Sequence, residues 1–229
     1  MVFRPGRWRR RGPVVAALAA VLLAAPNVVA YHQLVTPPDD PDGIGDCLNT
    51  AAAPCIRWKK TASNLSIHVD VYLGSGLDLG YINLKTDARN AMADWTALPA
   101  RNPFLDETTS TSGDEITVST GNLGVTTYAQ TTVAYDSTSP WRINHADMVF
   151  NTAISWNRTE SYSCDPQPFG GTLCHADARK VATHEFGHAN GLGHVESNVT
   201  AIMRQGPVTW HTIRQDDQNG IVAIYGAYP

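Results

Sequence analysis

Residues 65–73, LSIHVDVYL, alternate apolar and polar positions, with Ile67, Val69, Val71 and Leu73 set against His68, Asp70 and Tyr72. A period of two sorts these side chains onto opposite faces of a strand. The period changes at residues 84–98, LKTDARNAMADWTAL, where Leu84, Ala88, Ala91, Met92, Trp95 and Leu98 recur at helical spacing. That stripe predicts a helix with one buried face, and Met92 and Trp95 read as core packing. Strand composition returns in DEITVST (114–120) and ADMVFNT (146–152), separated by a stretch rich in Thr, Ser and Gly. Residues 175–190, HADARKVATHEFGHAN, predict a second helix, with Asp177 near its positive end and Gly191 as its stop. In TIRQDDQNGIVAIYG (212–226), Thr212 and Gln215 form a candidate capping box for a last helix.

The two ends of this pattern differ in kind. Arg4, Arg7, Arg9, Arg10 and Arg11 precede an apolar run from Val14 to Ala25, then Pro26 and a small residue, Ala30. This order predicts a secretory signal peptide over residues 1–30. The apolar run is shorter than the roughly 20 residues a membrane span needs. Residues 31–56, rich in Pro, Asp, Gly and Ala, predict an extended leader or short pro-segment. The remainder, 57–229, has no internal repeat and is long enough for one domain with a sizeable core.

Charge and cysteine usage agree with export. Removing residues 1–30 takes five of the 17 basic residues and no acidic one, which leaves 12 against 21 and a net charge of −9. An acidic chain is poorly suited to nucleic acid or anionic membrane surfaces, so neither is expected as a partner. A secreted, extracellular monomer is the expectation. An even count of four cysteines in a secreted chain reads as disulfides. Of the three connectivities, two local loops, Cys47–Cys55 and Cys164–Cys174, are preferred; the rival reading is a zinc–thiolate site, and neither pair has the close spacing such sites usually show.

The chemistry is concentrated in HEFGHANGLGH, residues 184–194. His184 and His188 lie one turn apart on one helix face, so both imidazoles can reach one ion. Glu185 projects about 100° from His184, near enough to meet a water at that ion without being a ligand. Gly191 permits a left-handed turn that brings His194 back to the same point. Three neutral nitrogens and one water form the open tetrahedral site of catalytic zinc. The five fixed positions of H-E-x-x-H-x-x-G-x-x-H arise by chance in this chain with a probability on the order of 10⁻⁵. His32, His68, His145, His175 and His211 are scattered and read as ordinary structural histidines.

HEFGHANGLGH resembles the zinc signature of the metzincin peptidases, and HEFGHxxGLxH in particular is similar to that of the matrixins, the matrix metalloprotease group. TAIMRQG supplies Met203 where that clan has its Met-turn, an apolar base beneath the histidines. DDQNGIVAIYG (216–226) is similar to the helix that ends matrixin catalytic domains, and ARNAMADW and ADMVFNT fit the family's order. The resemblance covers roughly residues 57–229. It implies an α+β, metzincin-like catalytic domain: a twisted, mostly parallel sheet with an antiparallel edge strand, an active-site helix and a C-terminal helix. It also implies one catalytic zinc on His184, His188 and His194, with Glu185 as general base in peptide-bond hydrolysis and Met203 as support. Calcium is compatible with the family, at a site the sequence does not locate. Substrates are expected to be proteins or peptides bound in extended form along the ADMVFNT strand, with 204–212 forming much of a side-chain pocket. The competing expectation is a non-catalytic, zinc-containing extracellular binding or adhesion domain. Glu185 separates the two, since a binding domain has no need of a base beside its ligands.

Overall fold

The computed structural model describes residues 15–17, 56–58, 67–79, 82–113, 115–136, 142–158, 163–166, 172–195, 197–204, 210 and 212–226. The rest of the expected signal segment and leader, with Cys47 and Cys55, lies outside the described residues, as do 205–209 and 211 of the expected pocket segment.

The alternating stretch is β2 (Ile67–Leu73), whose apolar residues are buried and whose His68 and Asp70 are exposed. It follows β1 (Val15–Ala17) in the chain and precedes a short hairpin, β3 (Asp78–Leu79) and β4 (Ile82–Asn83). Then α1 (Leu84–Thr96) buries Leu84, Ala88, Ala91, Met92 and Trp95, the predicted stripe. The next strands are β5 (Pro103–Thr108), β6 (Ile116–Gly121), β7 (Ala129–Tyr135) and β8 (Ile143–Asn151).

In the main sheet the order is β1-β7-β8-β6-β2-β5. Strands β5, β2, β6 and β8 run parallel, whereas β7 is antiparallel to β8. The expected mostly parallel sheet with an antiparallel strand at its border is therefore what forms. Val15–Ala17 adds antiparallel to the outer side of β7, with Ala16 opposite Ala134. In this sheet β1 falls in the stretch read as a signal peptide, and β5 and β7 are absent from the sequence reading. Their apolar positions are few, and β7 (AQTTVAY) carries Thr131 among its buried residues. The expectation that the ADMVFNT strand receives a peptide is corrected. This strand, β8, has β6 on one side and β7 on the other, so its backbone groups are already paired.

A second sheet, β9 (Ser155–Asn157), β10 (Ser163–Pro166) and β11 (Thr172–Asp177), leads into α2 (Ala178–Ala189). The predicted helix thus starts three residues later than its pattern, because His175 and Ala176 pair with Ser155 and Trp156 in a strand. Asp177 then caps the helix, its carboxylate accepting the Lys180 N–H at 2.8 Å. The two helices pack together, and the Trp95 indole N–H donates to the Thr183 carbonyl at 2.8 Å inside that contact.

The last helix, α3 (Gln215–Tyr225), begins after Arg214. The expected box of Thr212 and Gln215 is replaced by Asp217, whose carboxylate accepts the Arg214 N–H at 2.7 Å. Thr212 is exposed and lies outside the helix. No helix among the described residues is long and apolar enough to cross a membrane.

Two predictions follow from these placements. The antiparallel register of β10 and β11 sets Cys164 directly opposite Cys174. Opposed residues of such a pair stand about 4.5–5.5 Å apart at Cα, inside the range a disulfide spans. Non-reducing peptide mapping is expected to recover the two as one linked peptide, and free thiols there would contradict it.

Burial and the neighbouring Asp217 push the Asp216 carboxyl up to about 6, and its Oδ2 is buried without a hydrogen-bond partner. A carboxyl raised on folding supports the fold below its unfolded value of about 3.9. That support is lost as pH rises through about 6. Asp216→Asn is expected to melt above the parent protein at about pH 7.5 and alongside it at about pH 3.5, in paired thermal scans.

Candidate active site

The site is built from the C-terminal half of α2 and the turn that follows it. At Gly191 the backbone takes φ +93°, and a Cβ there would stand 2.5 Å from the Ile56 carbonyl oxygen. Glycine is required on both counts. The turn brings His194 back so that all three imidazoles meet. His184 Nε2 lies 3.1 Å from His188 Nε2 and 3.1 Å from His194 Nε2, and the last two are 3.2 Å apart. Nitrogens about 2.0–2.1 Å from one tetrahedral zinc stand about 3.3–3.4 Å apart, so this triangle fits that ion closely. Among the described residues these three form the one cluster of His, Cys, Asp and Glu suited to a metal.

The chemistry of the donors fits as well. His184 Nδ1 is 2.7 Å from the Ile202 carbonyl and His188 Nδ1 is 2.8 Å from the Leu192 carbonyl. A carbonyl accepts only, so each ring carries its proton on Nδ1 and turns the Nε2 lone pair to the common point. Burial lowers the pKa of His184, and it lowers that of His188 further with the help of the two neighbouring imidazoles. Neutral rings are what a metal binds.

Glu185 points elsewhere, 5% exposed, and its Oε2 accepts a hydrogen bond from the Thr131 hydroxyl of β7 at 2.5 Å. Burial raises its carboxyl to about 7 against the pull of that bond. A carboxyl poised near neutrality can both take and give a proton.

Met203 is buried beneath the helix, where a Cβ on Gly187 would overlap its sulfur. Gly187 is therefore the gap that lets Met203 and Trp95 approach α2. The turn carrying Met203 is tied at both ends. Its carbonyl accepts the Val195 N–H at 3.0 Å, next to His194. From α3, buried Asp217 accepts the N–H groups of Ile202 at 2.8 Å and Met203 at 3.1 Å as well as that of Arg214. Burial holds the Asp217 carboxyl above the usual range in spite of these three donors.

The end of α2 is held from two distant parts of the chain. The indole of Trp58 donates to the Ala189 carbonyl at 2.8 Å, and the Tyr225 hydroxyl donates to the Asn190 carbonyl at 3.0 Å. The same hydroxyl receives the Trp58 backbone N–H at 3.3 Å. These two side chains satisfy carbonyls that a helix end leaves unpaired.

Of the residues expected from sequence, His184, His188 and His194 meet at one point, Glu185 lies beside them on α2 with its carboxylate on Thr131, and Met203 packs where Gly187 leaves space. It missed Thr131, Trp58, Asp217 and Tyr225. For Thr131 a signal existed: a hydroxyl at the core-facing parity of a strand. Two other histidines with described side chains lie elsewhere. His68 pairs with exposed Asp106 and stacks on Phe104, and His145 of β8 contacts Asp147 of its own strand and Thr117 of β6.

Comparison with known proteins gives the same answer as the geometry. The profile of the family described as Matrixin matches residues 58–226. Matrix metalloproteinase-25 of Homo sapiens is 48% identical over 59 residues, 23% of this chain and 10% of that protein. Its counterpart in Mus musculus is 48% identical over 56 residues, 22% of this chain and 9% of that protein. The chain thus matches about a tenth of the length of these relatives.

Asp217→Ala leaves three N–H groups without their acceptor, two of them in the Met203 turn. The variant is expected to lose about 3 kcal/mol or more of stability in denaturant titrations. It is also expected to release zinc faster to a chelator than the parent protein.

Proposed function

The chain belongs to the matrixin family, and from that premise we propose that it is a secreted zinc endopeptidase in which His184, His188 and His194 hold the metal and Glu185 is the general base. Matrixins are zinc metallopeptidases that hydrolyse proteins. The observation that carries the reading is the meeting of three imidazole Nε2 atoms at one point, with a buried carboxyl on the adjacent helix position.

Zinc, when bound there, supplies Lewis acidity that polarises a carbonyl and eases deprotonation of water. The residues of the chain do the rest. The Ile202 and Leu192 carbonyls fix the ring orientations of His184 and His188, so the donor set is formed in advance. Glu185 accepts the proton of the attacking water and passes it to the leaving amine, which a carboxyl near neutrality does in both directions. Met203 keeps an apolar floor under the rings, without itself reaching the reaction.

Substrate binds in extended form along the outer side of β7, the strand that carries Thr131. That side takes up extended chain here, since Val15–Ala17 pairs with it in antiparallel register. Strand addition supplies backbone hydrogen bonds that do not depend on side-chain identity. The basic and apolar N-terminal segment and the acidic remainder support export and an extracellular place of action. Cys164–Cys174 and Cys47–Cys55 as disulfides accord with such a compartment.

The test separates ligand from base. Glu185→Ala is expected to keep one zinc per chain and to lose cleavage of a fluorogenic peptide mixture by about 10²–10⁴-fold. His194→Ala is expected to lose both zinc and cleavage, because two protein ligands leave the site incomplete. Metal analysis and cleavage are measured on the same folded samples. A Glu185→Ala protein that cleaves at the parent rate would refute the assigned base. A zinc-loaded parent protein with no chelator-sensitive cleavage would favour the binding-domain reading.

A further inference from the structure

We propose that Thr131 is a positioning residue for the reaction, its hydroxyl holding the Glu185 carboxylate in the orientation from which it exchanges a proton with the attacking water. The proposal rests on the assignment of Glu185 as general base.

In β7 the buried positions are Ala129, Thr131, Val133 and Tyr135. Thr131 alone among them presents an aliphatic hydroxyl to the interior, and it is 1% exposed. A hydroxyl in such a place needs a partner. Its partner is Glu185 Oε2 at 2.5 Å, with the Glu185 carbonyl at the longer distance of 3.4 Å. An ionised carboxylate has no proton to give, so the hydroxyl donates. One donor on Oε2 fixes the rotation of the carboxylate and leaves Oε1 unassigned by this bond.

The strand that carries the donor is itself well fixed. Thr131 sits opposite Met148 of β8, inside a ladder that runs from Ala129 to Tyr135. The outer side of the same strand is the one that accepts extended chain. Val15–Ala17 pairs with Val133–Tyr135, further along the strand from Thr131. One strand thus carries the side that takes up extended chain and, through the Thr131 side chain, the contact to the carboxylate. Misplacement of a reacting group by about 1 Å can cost on the order of 100-fold in rate, which sets the scale for such a restraint.

Valine matches threonine in shape and lacks the donor, and serine keeps the donor in a smaller side chain. Thr131→Val is expected to lower kcat about tenfold or more with KM within about twofold, because the restraint acts on the chemical step. Thr131→Ser is expected to recover most of kcat. Zinc content and the affinity measured by chelator competition should match the parent protein in both variants. A readout independent of cleavage completes the test: thermal unfolding of the zinc-loaded proteins. Thr131→Val should lower the melting temperature when Glu185 is present and have little effect in a Glu185→Ala background. An unchanged or raised kcat in Thr131→Val, or a rise in KM alone, would overturn the positioning role in an active enzyme. Equal melting shifts in both backgrounds would overturn the contact itself. A parent protein that cleaves nothing would overturn the peptidase reading first, and this proposal with it.

Discussion

Three imidazole nitrogens held within 3.2 Å of one another are the arrangement on which the rest of the structure depends. Rings so close cannot all be charged, and burial drives those of His184 and His188 to the neutral form. Neutrality alone does not aim a lone pair. The carbonyls of Ile202 and Leu192 do that, by taking the Nδ1 protons of His184 and His188. Each of those carbonyls belongs to a segment that must be held still in turn. The fold around α2 is best understood as the means of doing so.

The supports come from all sides. Met203 fills the space that Gly187 leaves, and Asp217 fixes the Met203 turn through three backbone donors. Trp58 and Tyr225 close the end of α2, and Trp95 ties its middle to α1. These bonds are buried, where a lost partner is costly. The surface ion pairs, such as Arg89 with Glu107 and Arg179 with Asp94, contribute far less, since exposed pairs are typically worth about 0–1 kcal/mol. Stability and function therefore share residues at this end of the molecule, and a substitution there will tend to affect both.

The sheet has a separate task. Its parallel strands β2, β6 and β8 bury apolar residues in the common core. The antiparallel strand β7 differs because one of its sides faces away from the ladder that fixes it. That outer side takes up extended chain, Val15–Ala17, and the inward face of the same strand delivers Thr131 to Glu185. On the proposed reading, orientation of substrate and orientation of the base are carried by one element.

What the sequence determined by itself is the part of the site that local geometry controls. His184, Glu185 and His188 fall within one helical turn, Gly191 follows at the helix end, and His194 lies three residues beyond it. Helical periodicity and the left-handed turn are enough to predict their convergence. Membership of the matrixin family was legible for the same reason, since its signature is local. The stripe of α1 and the alternation of β2 were equally plain. Tertiary structure alone decided the rest: that β8 is interior, that β7 runs antiparallel beside it, and that α2 begins only after a strand has ended. It also chose Thr131, Asp217, Trp58 and Tyr225 as partners of groups 54, 15, 131 and 35 residues away. No periodicity encodes such pairs, because a hydrogen bond depends on where the whole chain places its two ends, and that placement is fixed only when the core has formed.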